Sequence, residues 1–130
     1  MIHDVRIIPL DGRPHLPQGV SQLLGDSRGH WDGDTLVVET TNVTDRTNLR
    51  SVTVFGASQQ ARVVELFTRV AADTVDYRYT IEDTSTYTRP WTAAILMTKI
   101  EGPIFEYACH EGNHAVPNIL RGARIEEQAP

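Results

Sequence analysis

A chain of 130 residues with 40% hydrophobic and 22% charged residues suits one globular hydrophobic core. Seventeen acidic residues against twelve basic ones give a net charge of -5, and Arg46, Arg50, Arg62, Arg69 and Arg78 are scattered among acids, which argues against nucleic acid and against an anionic membrane as partners. The one cysteine excludes an internal disulfide, and no run approaches the roughly 20 apolar residues of a membrane helix.

In chain order, Val5 to Pro9 reads as a short strand that ends in the turn cluster Leu10-Asp11-Gly12-Arg13-Pro14. Val20, Leu23 and Leu24 have helical spacing, with Gly25 as the stop. Asp26 to Asp34 reads as a polar loop around Trp31, within which Asp32-Gly33-Asp34 is also ordinary hairpin-turn chemistry. A strand over Thr35 to Val43 follows, with Leu36, Val38 and Thr40 on one face. Asn42-Val43-Thr44 matches a glycosylation sequon, which we read as accidental. Thr44 to Gly56 is a long connection, and Arg62 to Val70 is an apolar run of ambiguous period. Val75, Tyr77, Tyr79 and Ile81 alternate with Asp76, Arg78, Thr80 and Glu82, the cleanest period-two pattern in the chain. Trp91, Ala93, Ile95 and Met97 alternate in a further strand. Glu101-Gly102-Pro103 turns the chain, and Ile104 to Cys109 returns as the second arm of a hairpin. After Pro117, Ile119 and Leu120 offer an anchor before a polar, frayed tail.

These elements predict an all-β domain over residues 1–130: an antiparallel meander, rolled into a small lipocalin-like barrel or half-barrel with one short helix, since rolling hides the sheet edges. A jelly-roll sandwich is the alternative.

Four runs resemble a family of hypothetical proteins frequent in soil bacteria. They are residues 2–13 (IHDVRIIPLDGR), 25–42 (GDSRGHWDGDTLVVETTN), 87–92 (YTRPWT) and 107–113 (YACHEGN). The resemblance spans nearly the whole chain and carries no activity with it. It implies that the chain matches the C-terminal part of longer proteins with exported N-terminal portions, and that Met1 falls at an internal position. A sheet edge left bare by the missing part then favours a homodimer. As written, without a signal peptide, the chain is expected in the cytoplasm.

Candidate chemistry concentrates in Tyr107-Ala108-Cys109-His110-Glu111-Gly112-Asn113-His114. The run spells His-Glu-x-x-His, but the zinc-protease motif needs both histidines on one helical face, and this one follows a strand and contains Gly112. No cofactor is therefore favoured, with zinc or another divalent ion at His110 and His114 as the alternative. Cys109 continues the face of Phe105 and Tyr107 and reads as a buried structural thiol. His110 and Glu111 suit acid–base catalysis, with Asn113 stabilising developing negative charge. His30 and Asp32 would complete this catalytic set if the loops converge. Trp31, Tyr79, Trp91 and Tyr107, with Asn113, would form the substrate-binding wall at a barrel mouth. The function expected is a small-molecule enzyme, a hydrolase or lyase. The alternatives are a non-catalytic ligand-binding barrel, a metal-dependent hydrolase at His110 and His114, and a fragment that oligomerises through its edges. The partners expected are a small-molecule ligand and a second copy of the chain.

Overall fold

The structure is a computed structural model that describes residues 5–44, 58–102 and 114–128. Five strands, β1 (Asp26–Asp32), β2 (Thr35–Thr41), β3 (Arg62–Ala71), β4 (Thr74–Glu82) and β5 (Trp91–Thr98), form one sheet in the order β1-β2-β3-β4-β5. Every adjacent pair is antiparallel. The chain divides into two compact units, Arg6–Ile100, which holds the sheet, and Met1–Val5 with Glu101–Pro130, which holds helix α1 (Ala115–Glu127).

The meander is as expected, but the barrel, the half-barrel and the jelly roll are not. Closure would require β5 to pair with β1, and the strand order leaves both at opposite edges of an open sheet. A jelly roll needs strands that exchange between two sheets, whereas here each strand pairs with its sequence neighbour. The outer side of β1 is partly occupied by the preceding chain, whose Pro9 carbonyl accepts the Gly29 N–H at 2.9 Å.

Local chemistry explains the hairpins. Asp32 pairs with Thr35 across a two-residue turn in which Gly33 takes φ 57°, a conformation that suits glycine at the first turn position. The ambiguous run from Arg62 resolves as β3, in register with the strongly alternating β4. The register then defines two faces. Ser27, Thr40, Val63, Ile81 and Trp91 align across the sheet, followed by Gly29, Val38, Glu65, Tyr79 and Ala93, then Trp31, Leu36, Phe67, Tyr77 and Ile95. This is the apolar face. The opposite, polar face carries Arg28, Glu39, Val64, Thr80 and Thr92 in one row and His30, Val37, Leu66, Arg78 and Ala94 in the next.

Four sequence expectations differ from the structure. Val5 to Pro9 is not a strand, and the region of Val20 to Leu24 is turns rather than a helix. There the backbone is claimed by tertiary partners: Gln22 bridges to Val43, and the Asn42 side-chain amide donates to the carbonyls of Leu16, Pro17 and Val20. Asn42 itself adopts φ 58°, which asparagine tolerates better than most residues. Asp26 to Asp32 is a strand, not a loop. The tail is helical rather than frayed, because Pro117 falls in the first turn of α1, where a missing N–H costs nothing. The expected return strand Ile104 to Cys109 lies outside the described residues.

The interior is unusually polar. Among the described residues the buried apolar set is Val38, Val43, Ala61, Val63 and Ile81, with Tyr79, Tyr87 and Trp91 packed against its main cluster. Asp26, Ser27, Thr40, Asn42, Glu65 and Asp83 are equally buried. Such groups persist only where they are satisfied. Asp83 accepts from the Ser58 N–H at 2.6 Å, the Ser58 hydroxyl at 2.8 Å and the Ser85 N–H at 3.0 Å. Burial alone would raise its pKa, but these donors and the Thr86 hydroxyl prevail and hold it at about 2, below the ordinary 3.8. A depressed carboxyl stabilises the fold above its ordinary pKa, and that contribution disappears as pH falls through about 2. The gap corresponds to about 2 kcal/mol. Asp83→Asn is expected to lose about that much at pH 7, and the difference from wild type should vanish between about pH 4 and pH 2 in urea titrations.

Candidate functional site

The residues with most chemical potential form a belt on the polar face. Asp26, at the start of β1, lies almost fully buried and receives three groups at its carboxylate. These are His15 Nδ1 at 2.9 Å, the Leu16 N–H at 3.0 Å and Arg28 Nη1 at 2.6 Å. The Arg28 Nε donates onward to the Pro14 carbonyl at 3.2 Å. His15 Nε2 stands 3.6 Å from Glu39 Oε1, and Arg62 bridges Glu39 at 2.7 Å and Glu82 at 2.9 Å. Strand pairing explains the juxtaposition. Arg28 is opposite Glu39 and Arg62 is opposite Glu82, so β1, β2, β3 and β4 each contribute one charge to a diagonal. The loop through His15 is thereby clasped onto the sheet.

Electrostatics follow from these contacts. Burial opposes ionisation of Asp26, but Leu16, His15 and Arg28 outweigh it and lower its pKa. Glu39 is lowered chiefly by its bond to Arg62, against some desolvation, with the charges of Arg62, His15 and His30 adding to the effect. The Arg62 pKa is pushed up, first by Glu39 and also by Glu82, so the guanidinium stays charged.

A second polar cluster pierces the apolar face. Glu65 is 1% exposed at the middle of β3. Its Oε1 accepts from the Tyr77 hydroxyl at 2.8 Å and from Arg6 Nη2 at 3.1 Å, while Oε2 lies 2.7 Å from Arg6 Nη1 in an ion pair without hydrogen-bond alignment. Arg6 also reaches Thr40, whose hydroxyl meets that of Ser27 at 2.8 Å. Burial, and then the bond to Glu65, raises the Tyr77 pKa. Around this cluster runs a ring ladder: Phe67 to Tyr77 at 4.7 Å, Tyr77 to Tyr79 at 5.7 Å, and Tyr79 to Trp91 at 5.6 Å.

An open cleft of about 470 Å³ lies beside the belt, lined by Gln18, Ser21, Thr41, Asn42, Gln59, Gln60, Ala61 and Arg62. Its groups are hydroxyls and amides. Among the described residues its one charged side chain is Arg62, which is already matched by two carboxylates.

The expected site residues are distributed as follows. His30 and Asp32 lie on the polar face of β1, both exposed. Trp31 points to the other face and is 62% exposed. Tyr79 and Trp91 are ring neighbours on that apolar face, where both pack against the core. His30 and Asp32 are thus separated from these aromatics by the sheet itself. His114 is the residue before α1 and makes no side-chain capping bond. Tyr107, Cys109, His110, Glu111 and Asn113 lie outside the described residues. With the sheet open, there is no barrel mouth for the expected set to line.

The sequence reading missed His15, Glu39 and the Arg6–Glu65 pair. His15 sits in a proline-flanked stretch without periodicity. Glu39 and Arg62 occupy ordinary solvent-side positions of alternating strands, and only the register brings them together. Glu65 carried the one usable signal, a charge in step with Val63 and Phe67. Among the described residues no group of three or more His, Cys, Asp or Glu side chains is placed to hold a metal ion. The belt shows why: its carboxylates are taken up by arginines and a backbone N–H. Among the described residues no helix is long and apolar enough to cross a membrane. No family model matches the chain, and neither a curated protein nor a solved structure matches it.

Proposed function

We propose that this protein is a binding module for an uncharged, hydroxyl-rich small molecule such as a saccharide, held in the cleft beside the His15–Asp26–Glu39–Arg62 belt. The observation that carries this reading is the described lining: amides and a hydroxyl from Gln18, Ser21, Gln59 and Gln60, on a wall where Thr41 and Asn42 are bonded to each other and to the chain, around an arginine whose charge is already neutralised. Such groups offer both donors and acceptors and no net field, which suits a neutral polyol better than an anion or a cation. The belt supports the role by fixing one wall, since Arg62 is held from two sides and Asn42 is anchored by three carbonyls. The test is a calorimetric and thermal-shift screen with neutral mono- and oligosaccharides. A ligand present at a hundredfold excess over its Kd is expected to stabilise the fold by about 2.7 kcal/mol. Gln18→Ala with Gln60→Ala is expected to weaken binding at least about tenfold, at roughly 1.4 kcal/mol per factor of ten. A screen without any stabilising sugar, or binding that ignores both substitutions, would overturn the reading.

One observation favours a second reading, a proton-transfer enzyme of the hydrolase or lyase type. Asp26 accepts from the Nδ1 side of His15 and so leaves Nε2 as the acid–base atom, as a catalytic base requires. On that reading His15→Gln abolishes turnover of a bound compound. On the binding reading the same variant still binds it, and wild type leaves the compound intact.

A further inference from the structure

We infer that the aromatic ladder of the apolar face is a one-electron relay. Trp91 collects an oxidising equivalent from a diffusible one-electron oxidant, and Tyr77, beside Glu65, stores it as a neutral phenoxyl radical. The register builds the path. Tyr79 faces the small Ala93, which leaves its ring free to meet the Trp91 indole on the diagonal at 5.6 Å. On its other side Tyr79 stacks with Tyr77 at 5.7 Å, and Tyr77 stacks with the facing Phe67 at 4.7 Å. Tyr87 meets Trp91 edge-on at 5.8 Å, from a turn in which its N–H donates to the Asp83 carbonyl at 2.8 Å. A phenylalanine ring is much harder to oxidise than a phenol or an indole, so the path ends at Tyr77.

Two polar groups set the direction. Trp91 Nε1 is buried and, among the described residues, has no hydrogen-bond partner. An oxidised indole there has no acceptor for its N–H proton, so it stays a radical cation, the more oxidising of its two forms. The Tyr77 hydroxyl, by contrast, donates to Glu65 Oε1 at 2.8 Å. Burial opposes release of that proton to water, and the carboxylate is its acceptor. The oxidant takes one electron from the Trp91 indole. One electron then passes from Tyr77 through the Tyr79 ring to Trp91 and restores the indole. The phenolic proton moves to Glu65 in the same step, which leaves a neutral phenoxyl radical at Tyr77 and a neutral carboxyl group at Glu65. A one-electron reductant of the ascorbate class returns the electron. The proton then goes back to the Tyr77 oxygen, because Arg6 at 2.7 and 3.1 Å favours the ionised form of Glu65. The buried glutamate, the orphan indole N–H and the run of rings thereby acquire one common use.

Flash oxidation by photogenerated tris(bipyridyl)ruthenium(III) tests the relay, read by transient absorption and electron paramagnetic resonance. The chain has two tryptophans, so Trp31→Phe leaves Trp91 as the single indole. In that parent chain the indole radical cation is expected to convert into a tyrosyl radical, with a rise that slows in deuterium oxide. Tyr77→Phe is expected to abolish the conversion and prolong the indole signal. Glu65→Gln keeps an acceptor oxygen but cannot take the proton, and the conversion should slow about a hundredfold. Circular dichroism checks that each variant is folded, and should either unfold, the isotope effect in the parent chain decides alone. An indole signal that decays without a tyrosyl rise, a tyrosyl signal that survives Tyr77→Phe, or a rise indifferent to deuterium oxide or to Glu65→Gln would overturn the proposal.

Discussion

Arg6→Ala is expected to lower the free energy of unfolding by about 3–5 kcal/mol, the largest effect of any single truncation in this protein. The reason is the partner left behind. Glu65 is 1% exposed at the centre of the apolar face, and without Arg6 it keeps only the Tyr77 hydroxyl among its described side-chain partners. Its carboxylate would then be a buried charge with no counter-ion, which costs far more than the pair itself contributes. The double variant Arg6→Met with Glu65→Gln separates the two effects. It removes both charges and preserves an acceptor for Tyr77, so it is expected to recover most of the loss. Guanidinium denaturation of wild type and the two variants checks this. A loss below about 1 kcal/mol for Arg6→Ala would mean that the ion pair is open in solution, in line with the small worth of exposed pairs.

The second large effect is at Gly25, and a built-in control accompanies it. Gly25 and Gly12 share φ 73°, so alanine is strained at both. A methyl group at Gly12 meets nothing within 4 Å, whereas at Gly25 it would lie 2.6 Å from Thr40 Cγ2, 2.8 Å from the Thr41 carbonyl and 3.0 Å from Val43 Cγ2. The Thr41 carbonyl belongs to the backbone of β2 and has little room to yield. Gly12→Ala is expected to cost about 1 kcal/mol from backbone strain alone. Gly25→Ala should cost about 3 kcal/mol or more, because overpacking adds to the same strain. Thermal or urea unfolding of the two variants measures the difference directly, and equal costs would mean that the β1–β2 junction is looser than its geometry indicates.

The strands that could be read from the sequence were those whose alternation needs no partner to be seen. Val75 to Ile81 and Trp91 to Met97 place every second residue on one face, and that face is the apolar one. β1 was hidden because its strand is built from Asp, Ser, Arg, Gly and His, which have weak strand preference by themselves. Its polarity is the footprint of the His15–Asp26–Arg28 clasp and the Ser27–Thr40 contact, and these exist only once residues far apart in the chain meet. The belt was illegible for the same reason. Cross-strand partners follow from register, and residues 42–61, which separate β2 from β3, are too many for a register to be counted across them. Openness of the sheet has no local signature either. Whether a last strand reaches a first one depends on twist and tilt summed over all strands, not on any pattern within one.

The unequal spacing of the strands has a consequence for how the chain reaches this state. β1 and β2 are joined by Gly33 and Asp34, and β3 and β4 by Ala72 and Asp73, but residues 42–61 separate β2 from β3. Short links close quickly, and long ones carry the larger entropic cost before any contact repays it. The amino-terminal hairpin and the three-strand carboxy-terminal piece are therefore expected to form first, with their docking along β2 and β3 as the late step, so substitutions at the β2–β3 contacts should give lower φ-values than those within either piece. On a ribosome the first hairpin emerges well ahead of its partner. Until β3 arrives, the inner border of β2 is exposed to any other nascent strand, and swapping between neighbouring chains becomes the characteristic hazard of the topology.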